Sequence, residues 1–350
     1  MKINRIELLD ALKSTQPGLA KREIIQQAAH VMFMGKCIAT FNDAISVLYP
    51  FETNFKCSVN GEEFYKVLDG IKEDKIELFL DGDHIKINSE KTKAGFSTIV
   101  GENEKVEKMV EKILATVNKP KFFRTLPKDF IKGVFLCMFG ASKDMTSGVK
   151  CCVAVKDNQI FSTDNLRLSR YELDSKVKDA ILIPARDAYE LVKYEVVRYG
   201  LSEGWVHFQT EDGVIFNCRT MTGEYPFDRM ITFFGKQKNE ITVPSELKDI
   251  MKNAVVLADG EVDIAKMVEV TINKGKIVCK SEKERGWMIK EVDCKYKGEK
   301  LSFFVNPIFM AQVLESVTTL ALVQGKEHPN KCYFTQDNYQ HIIALPTMEK

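Results

Sequence analysis

The chain has 350 residues, of which 45% are apolar, so it is long enough for two or three domains with sizeable cores. Its 50 basic residues nearly balance 49 acidic ones, and a net charge of +1 excludes a strong global attraction to nucleic acid or membranes. No apolar run is long enough for a membrane span, and the N-terminal segment lacks the apolar core of a signal peptide. Nine cysteines without a CxxC pair indicate reduced thiols. We therefore expect a soluble, cytosolic protein without membrane contact.

Six helix-like segments recur along the chain, each precedes a hairpin-like pair of strands, and three of them carry a clean helical stripe of apolar residues. The central apolar residues of the six segments are Leu8, Phe64, Phe130, Tyr189, Leu247 and Met310. Around Leu247, for example, Ile250, Met251 and Ala254 continue a stripe at i, i+3, i+4 and i+7, which is typical of a helix with one buried face. The hairpins alternate apolar and polar residues about a turn, as in IELFLDGDHIKIN and VEVTINKGKIVCK.

These six units, taken in pairs, predict three similar domains at residues 1–118, 119–236 and 237–350. Each domain would hold two helices and antiparallel strands, which is an α+β architecture. The polar runs 118–121 and 235–239 are the predicted linkers. An additional helix-like segment at about 102–117 interrupts the repeat. We interpret it as a helix packed on the first domain, with a partner-binding role as the alternative.

The middle of the chain contains a polar turn between two strand-rich segments. Residues 149–155 and 160–162 are predicted to be two strands around a turn at 156–158. Asp164 and Asn165 suit a further turn, because their short side chains bond nearby backbone and tolerate unusual dihedral angles. Further along, 181–183 is a predicted strand, and Pro184 suits the first turn of a helix.

Several motifs in this order resemble a known family. TDNLRL, LIPARDAYELV and the run from Gly223 to Pro226 resemble the middle domain of the bacterial-type DNA polymerase III beta subunit, the DNA sliding clamp. The run from Phe304 to Pro307 and the C-terminal IALPTM resemble the last domain of the same family. The resemblance extends along the whole chain and indicates a divergent, phage-like member.

The resemblance implies a non-catalytic processivity factor. Two chains would join head to tail into a homodimeric ring of six domains, with helices lining the pore and sheets forming the outer wall. The ring would encircle double-stranded DNA without sequence preference, tether a DNA polymerase and depend on a clamp loader. It would need no cofactor or metal and would act in the cytosol of a bacterium or of a phage-infected cell.

Basic residues on the predicted helices and on one loop are the candidates for DNA contact. In the family, the loop that holds Lys21 and Arg22 reaches toward DNA. Contacts to phosphates by such residues are independent of sequence, which suits sliding. The alternative is that these residues belong to ordinary solvated helix faces. The candidates are Lys21, Arg22, Lys132, Arg186, Lys193, Lys248 and Lys252.

A pocket for short peptides of polymerase and other partners is the second implied site. Its predicted wall is Thr163, Asn165, Leu166, Arg167, Leu168, Pro226, Met230, Ile231, Asn306, Phe309, Ile343, Leu345 and Pro346. An apolar wall with a few polar groups suits a short peptide, although the same residues could simply seal an interdomain core. Lys150 stands where the family has leucine, and Asn165-Leu166 where it often has Gly-His, so the peptide preference is expected to differ.

Two other functions remain as alternatives. A metal-dependent DNA-processing enzyme could use Asp81, Asp83 and His84, but Asp81-Gly82 has the chemistry of a hairpin turn. The chain has no phosphate-binding glycine loop, GxSxG or HExxH motif, and its histidines show no ligand spacing, so no catalytic residue is predicted. A clamp-like decoy that inhibits host clamp partners would share the fold.

Overall fold

A computed structural model describes residues 1–22, 27–99, 104–235, 237, 240–324 and 329–346. Several positions covered above lie outside the described residues: the linker residues Lys236, Lys238 and Asn239, residues 102–103 of the predicted extra helix, and the end of the chain from Thr347.

The described residues form eight α-helices: α1 (Arg5–Thr15), α2 (Gly61–Gly70), α3 (Glu104–Val117), α4 (Phe130–Met138), α5 (Ala185–Leu191), α6 (Phe227–Ile231), α7 (Glu246–Ala254) and α8 (Pro307–Val313). The first fourteen strands are β1 (Lys2–Asn4), β2 (His30–Met34), β3 (Cys37–Phe41), β4 (Ile45–Pro50), β5 (Lys56–Asn60), β6 (Lys75–Asp81), β7 (His84–Asn88), β8 (Lys93–Ser97), β9 (Arg124–Thr125), β10 (Cys152–Thr163), β11 (Arg167–Pro184), β12 (Val196–Ser202), β13 (Trp205–Thr210) and β14 (Ile215–Arg219). The remaining strands are β15 (Ile241–Thr242), β16 (Val268–Asn273), β17 (Lys276–Lys283), β18 (Gly286–Asp293), β19 (Leu301–Val305), β20 (Thr319–Gln324), β21 (Pro329–Gln336) and β22 (Tyr339–Ala344). None of these helices has both the length and the apolar character to cross a membrane.

The six predicted helices are confirmed as α1, α2, α4, α5, α7 and α8, and the additional segment is confirmed as α3. The predicted hairpin at Asp81-Gly82 is also confirmed. β6 and β7 pair up to Asp81 and His84, and Gly82 has a φ of +63°, a conformation that glycine adopts without steric cost. The short helix α6 was not predicted from the sequence.

The predicted hairpin at residues 149–162 is wrong. β10 is one strand that continues through Lys156–Asn158 and pairs with β11 along its whole length. The register shifts on both sides of Asp157, whose φ is +54°. Between the pairs Val155–Ile181 and Gln159–Glu172 the chain advances four residues along β10 and nine along β11, so the extra residues lie on β11. The polar residues of β10 therefore lie within a continuous strand and not in a turn at its end, because β11 supplies pairing partners on both sides of them.

The chain divides into two compact units, of which the first comprises Met1–Ile131 and Arg186–Thr222. It contains an eight-stranded sheet, in the order β5-β2-β3-β4-β14-β13-β12-β9, and a four-stranded sheet, β1-β6-β7-β8. All pairings are antiparallel, and β4 joins β14 in the larger sheet. One core of this unit holds Leu8 of α1, Phe64 of α2, Phe33 of β2 and Leu78 of β6.

The eight-stranded sheet is covered on both faces where β2 and β3 lie. Phe33 belongs to the core with α1 and α2, whereas its neighbour Met32 packs in a second core with α3. Successive residues of a strand point to opposite faces, so coverage of both faces accounts for the nearly continuous apolar sequence VMFM. The second core also holds Val110 and Ile113 of α3, together with Trp205 of β13. The prediction that the additional helix packs on the fold is thus confirmed.

The second unit comprises Lys132–Ala185 and Gly223–Lys350. It contains a six-stranded sheet, β10-β11-β22-β21-β20-β15, and a four-stranded sheet, β18-β17-β16-β19. Helices α7 and α8 pack against each other, with Leu247, Met251 and Met310 fully buried. A Cβ at Gly133 would lie 2.7 Å from side-chain atoms of Ile160 and Tyr171, so glycine permits the close approach of α4 to β10 and β11. The three-domain division remains a prediction.

We expect Ile113→Ala to destabilise the first unit, because it removes buried methyl and methylene groups from the contact between α3 and the sheet. Ile113 is 5% exposed, and large-to-small changes at such positions cost about 2–4 kcal/mol. Urea unfolding followed by tryptophan fluorescence measures the effect, since Trp205 lies in the same core.

Glu111→Ala is the matched control on the exposed side of α3, and its expected change lies within about 0.5 kcal/mol. Equal stabilities for the two variants would contradict a structural role for the buried face of α3.

Candidate functional site

The turn between β10 and β11 is held by the side chains of its own residues. Oδ1 of Asp164 accepts hydrogen bonds from the backbone N–H groups of Leu166 at 3.0 Å and Arg167 at 2.7 Å. Asn165 has a φ of +75°, a left-handed conformation that asparagine tolerates better than most residues. The Thr163 hydroxyl donates to the Arg167 carbonyl at 2.6 Å. Local polar contacts therefore define the shape of the turn.

Arg167 connects this turn to α8. Its side chain is only 4% exposed, and its Nη2 lies 2.8 Å from Oδ2 of Asp164. Its Nη1 donates to Oε1 of Gln312 at 2.6 Å, and the guanidinium carbon lies 3.8 Å from the ring centroid of Phe309. A planar guanidinium suits a site that requires hydrogen bonding at its edge and stacking on its face. Its charge is neutralised within the protein.

Asn306 fixes the start of α8. Its Oδ1 accepts from the N–H groups of Ile308 and Phe309 at 2.9 and 3.1 Å, and its Nδ2 donates to the Asp263 carbonyl at 2.8 Å. A side chain that accepts from N–H groups at a helix start removes their unpaired donors. Asn306 and the buried ring of Phe309 therefore position the Arg167 turn.

A cavity of about 270 Å³ lies beside the turn, and we call it the turn cavity. Leu168, Met230 and Ile342 supply apolar surface, and Lys150, Arg229 and Lys331 supply positive charge. Its complete lining is Lys150, Thr163, Asn165, Leu166, Arg167, Leu168, Pro226, Arg229, Met230, Phe233, Lys331, Ile342 and Ala344.

A wider and more polar cleft lies in the first unit, between the end of α1, the segment that follows it, and α5. We call it the α5 cleft; its volume is about 840 Å³. Four cationic side chains line it, those of Lys13, Lys21, Arg186 and Lys193. The Tyr194 hydroxyl donates a hydrogen bond to the Ser14 carbonyl, which holds the segment after α5 against the end of α1.

The cations of this cleft differ in their pairing. Lys193 lies 2.6 Å from Glu190, and Nε of Arg186 lies 3.2 Å from Oδ1 of Asp187. Within the described ranges, no ion pair joins Lys21 to a carboxylate. Lys13 is likewise in no such pair within the described residues, and both side chains are exposed, so Lys13 and Lys21 are the cations of the cleft most available to a phosphate.

Asp187 is the one buried acid of the α5 cleft. It is 2% exposed, and its Oδ2 has no hydrogen-bond partner. Burial raises the pKa of this carboxyl to about 6, although the Arg186 guanidinium opposes the shift. The carboxyl therefore changes its charge near neutral pH. It does so beside cations that are candidates for contact with DNA phosphates.

Burial affects two thiols of the first unit, and ion pairs hold the acidic residues of the β6–β7 turn. Burial raises the pKa of Cys37 to about 11 and that of Cys57 to about 12, so both are protonated at neutral pH. Asp81 pairs with Lys86, and Asp83 with His84. Throughout the described ranges, no group of three or more His, Cys, Asp or Glu side chains could hold a metal ion.

Comparison with solved structures shows what this architecture is similar to. The DNA polymerase III beta chain of Streptococcus pneumoniae matches with a TM-score of 0.81 and 17% identity, over 99% of both chains. The subunit beta of Pseudomonas aeruginosa matches with a TM-score of 0.79 and 12% identity, over 99% of this chain and 100% of that one. The DNA polymerase sliding clamp of Bacillus subtilis matches with a TM-score of 0.78 and 16% identity, over 99% of both chains.

The chain has the sliding-clamp fold. It is α+β with antiparallel sheets, and the predicted structural resemblance is confirmed along its whole length. No protein-family model and no curated protein matches the sequence.

Within this clamp fold, seven of the thirteen predicted pocket residues line the turn cavity. They are Thr163, Asn165, Leu166, Arg167, Leu168, Pro226 and Met230. Asn306 and Phe309 do not line the cavity. Phe309 stacks on the Arg167 guanidinium, and Asn306 caps the helix that carries Phe309. Ile231 is 41% exposed at the end of α6, and Pro346 is exposed after β22. Peptide binding by this site remains a prediction.

On β22 the cavity is lined by the residues adjacent to the predicted ones. Ile342 and Ala344 line it, whereas the predicted Ile343 and Leu345 do not. Side chains of a strand alternate between faces, so a difference of one position changes the face. Ile343 is 1% exposed and pairs in register with Arg167. Its role in the structure is core packing.

Among the remaining cavity residues, Lys150, which precedes β10, was already named in the sequence as a departure from the family. Three others were missed for identifiable reasons: Lys331 is on β21, and Arg229 and Phe233 belong to α6 or follow it. Helical spacing from Pro226 through Met230 to Phe233 is a signal that could have identified α6 and its cavity-facing side. No local signal indicates that Lys331 would reach this cavity, because strand pairing brings it there.

The predicted DNA-contact residues occur in separate places. Lys21, Arg186 and Lys193 meet in the α5 cleft, and Arg22 is exposed beside Lys21 in the sequence. Lys132 is exposed on α4. Lys248 and Lys252 both pair with Glu315, at 3.1 and 2.6 Å. DNA contact by these seven residues remains a prediction.

We expect the titration of Asp187 to make the protein less stable as pH rises from about 4 to about 6. Its pKa is higher in the folded chain than the ordinary value of 3.8, so the folded state binds the proton more tightly. The stabilisation is complete below about pH 4 and is lost through pH 6; the difference amounts to at most about 3 kcal/mol.

Urea unfolding at pH 4, 5, 6 and 7 compares the wild type with Asp187→Asn, which should lack this component of the pH dependence. Asp10→Asn, at an exposed position on α1, is the control and should retain it. Parallel pH profiles for the wild type and Asp187→Asn would contradict the raised pKa.

Proposed function

We propose that this protein is a DNA sliding clamp, a non-catalytic ring that encircles duplex DNA and tethers a polymerase and other partners. The observation that carries the proposal is the likeness to sliding clamps over 99% of the chain with TM-scores of about 0.8. Similarity along the whole chain supports a mode of action shared with sliding clamps more strongly than similarity of a single domain would. The proposal also includes action in the cytosol and dependence on a clamp loader. It further includes a division into three domains, at residues 1–118, 119–236 and 237–350.

The free edges of the two four-stranded sheets support a ring of two copies. In β1-β6-β7-β8 the edge strand β8 has no further partner strand among the described residues, and in β18-β17-β16-β19 the same holds for β18. An unpaired edge invites pairing with another chain. On β18, Trp287 is 66% exposed and Ile289 is 53% exposed. We infer that β8 of one copy pairs with β18 of the next.

Head-to-tail pairing of these edges would make two further eight-stranded sheets in the ring, each equal in strand number to the large sheet of the first unit. Each copy carries both the β8 edge and the β18 edge. Two copies can therefore pair both edges with each other and close into a ring. A closed ring is retained on DNA by topology. Strong intrinsic DNA affinity is then unnecessary, which suits a net charge of +1.

The decoy alternative shares the fold but does not require ring closure on DNA, and the enzyme alternative requires catalysis. The whole-chain likeness to sliding clamps favours the clamp over the enzyme. One experiment separates all three: retention on circular and linear DNA.

The protein is mixed with nicked circular plasmid at a concentration at which copies dissociate, and it is then concentrated so that rings close. Gel filtration in high salt removes protein that is held only by ion pairs. We expect protein to remain on the circle and to be released when a restriction enzyme linearises the plasmid. A variant with Trp287→Asp and Ile289→Asp is the control and should neither form a two-copy particle nor remain on the circle.

Equal retention of the protein on circular and linear plasmid would contradict the clamp hypothesis. Loss from both plasmids by a protein that forms two-copy particles would also contradict it. Plasmid cleavage that depends on a divalent metal would favour the enzyme. Failure of the wild type to form a closed particle would favour the decoy.

A second expected result concerns Lys21 and Arg22. Replacing both by glutamate should reduce contact with duplex phosphates while leaving the two-copy ring intact, because both side chains are exposed. If each contacts one phosphate, the dependence of log affinity on log salt should become shallower by about 1.8. Fluorescence anisotropy with a short duplex at several salt concentrations measures the slope.

Lys36→Glu with Lys91→Glu is the matched control, because these exposed lysines lie in turns between strands. It introduces the same charge change and should leave the slope nearer to that of the wild type. Equal slopes for the wild type and the Lys21/Arg22 variant would assign DNA contact to other residues.

A further inference from the structure

The α5 cleft places a buried acid among cations. Lys13 of α1, Lys21 of the segment after it, and Arg186 and Lys193 of α5 line the cleft, and all four side chains are exposed. Asp187 lies in the same wall and is only 2% exposed. A carboxylate repels phosphates, so a surface for phosphates gains no affinity from it. The position of Asp187 therefore indicates a role other than direct contact with DNA.

The two carboxyl oxygens of Asp187 have different surroundings. Oδ1 lies 3.2 Å from Nε of Arg186, whereas Oδ2 has no hydrogen-bond partner within the described part of the chain. A buried carboxylate is stable when it is paired and fully hydrogen-bonded, because removing charge from water is costly. With one oxygen unpaired, the ionised form of Asp187 is only partly stabilised. The neutral form is therefore accessible without a change of fold.

The charged groups around Asp187 come from three elements that meet at the cleft. The described residues of the lining contribute Arg186, Glu190 and Lys193 from α5, Lys13 from α1, and Lys21 from the segment after α1. The segment 42–45 contributes Asn42, Ala44 and Ile45 to the same lining, and these three side chains are uncharged.

Protonation of Asp187 changes the charge of the cleft by a large fraction. Four cationic and two acidic side chains are present among the described lining residues, so an excess of two positive charges becomes an excess of three. Burial raises the pKa of Asp187 to about 6, the Arg186 guanidinium opposes this shift, and Glu190 adds to it. The change in charge therefore falls between about pH 5 and pH 7, where DNA phosphodiesters stay ionised.

Protonation also alters what Arg186 can contact. A hydrogen bond to an ionised carboxylate is roughly twice as strong as one between neutral groups. Ionised Asp187 therefore holds the guanidinium at Nε, and neutral Asp187 holds it less firmly. The Arg186 side chain is 59% exposed, so a guanidinium that Asp187 releases can turn toward a phosphate in the cleft.

We propose that Asp187 is a proton-linked counter-charge for contact between the α5 cleft and duplex phosphates. While ionised, it restrains Arg186 and offsets the neighbouring cations. Once protonated, it does neither, and the cleft holds DNA more tightly. This inference rests on the proposed function, because it specifies how the DNA contact of a clamp is regulated. Asp187 itself does not touch DNA and is a positioning residue that acts through Arg186.

Thermodynamic linkage adds a second consequence. If protonation strengthens DNA binding, DNA binding must in turn cause the protein to take up protons. This uptake is greatest near pH 6, where Asp187 titrates. A carboxylate that served only the packing of α5 would cause no such uptake.

The probe is a short fluorescent duplex of mixed sequence, titrated with the full chain at pH 5, 6, 7 and 8 and constant ionic strength. Fluorescence anisotropy measures the affinity, and calorimetry in two buffers of different ionisation enthalpy measures the proton uptake. We expect the wild type to bind about threefold more tightly at pH 5 than at pH 8, because one unit charge near solvent changes the binding energy modestly. The difference should shrink in high salt.

Asp187→Asn is the decisive variant, since it keeps the shape of the side chain and cannot ionise. It should bind the duplex at pH 8 about as tightly as the wild type does at pH 5, and its proton uptake near pH 6 should fall. Comparison with the wild type at each pH removes the contribution of other titrating groups. Equal binding by the two proteins at pH 5 would also show that the variant is folded.

Two controls separate the titration of Asp187 from a simple loss of negative charge. Glu190→Gln removes the other acid of the cleft, so it should strengthen binding at every pH and keep the dependence on pH. Asp10→Asn makes the same carboxylate-to-amide change at an exposed position of α1 outside the cleft lining, and its pH profile should match that of the wild type.

Parallel pH profiles for the wild type and Asp187→Asn, or equal proton uptake by both, would refute the counter-charge role. Weaker binding by Asp187→Asn at every pH would also refute it and would assign the carboxylate to the support of the cleft. Failure of the wild type to bind the short duplex at any pH would remove the α5 cleft from DNA contact. Retention on circular plasmid in high salt depends on topology and is measured separately, so the ring can stand when this inference fails.

Discussion

The buried guanidinium of Arg167 is the constraint on which the candidate partner site depends. Removing a charge from water is costly unless it is paired and hydrogen-bonded. Asp164 and Gln312 supply the hydrogen bonds, and Phe309 covers one face of the guanidinium. These contacts can form only if the turn and α8 hold fixed positions. The Asn306 cap of α8 and the left-handed Asn165 are consequences of the same requirement.

The sheets impose a second constraint, which bears on assembly. Where β2 and β3 lie, the large sheet of the first unit is covered on both faces, by α1 and α2 on one and α3 on the other. The four-stranded sheets each end in an edge strand, and β18 carries Trp287 and Ile289 largely exposed. Exposed apolar groups on an unpaired edge are a liability for a monomer. The proposed pairing of edges between copies would cover these groups and close the ring at the same time.

Charge is distributed locally in a protein with almost no net charge. Several lysines pair with nearby carboxylates, as Lys193 does with Glu190. Among the described residues, no carboxylate pairs with Lys21 in the α5 cleft or with Lys150, Arg229 and Lys331 at the turn cavity. Weak, local contacts of this kind suit the proposed clamp, which would move along DNA and exchange partners, because strong pairing would oppose both.

The sequence by itself determined the helices other than α6, most hairpins and the shape of the TDNLRL turn. Helical stripes such as Leu247, Ile250 and Met251, the glycine at Gly82 and the side chain of Asp164 act over a few residues, so local physics suffices. Only the tertiary structure decided that β10 is continuous and that Ile342 and not Ile343 lines the cavity. It also decided that Glu315 forms ion pairs with Lys248 and Lys252. Each of these depends on partners far away in the chain. Strand register and ion pairing arise from contacts between distant segments, and spacing within one segment does not encode them.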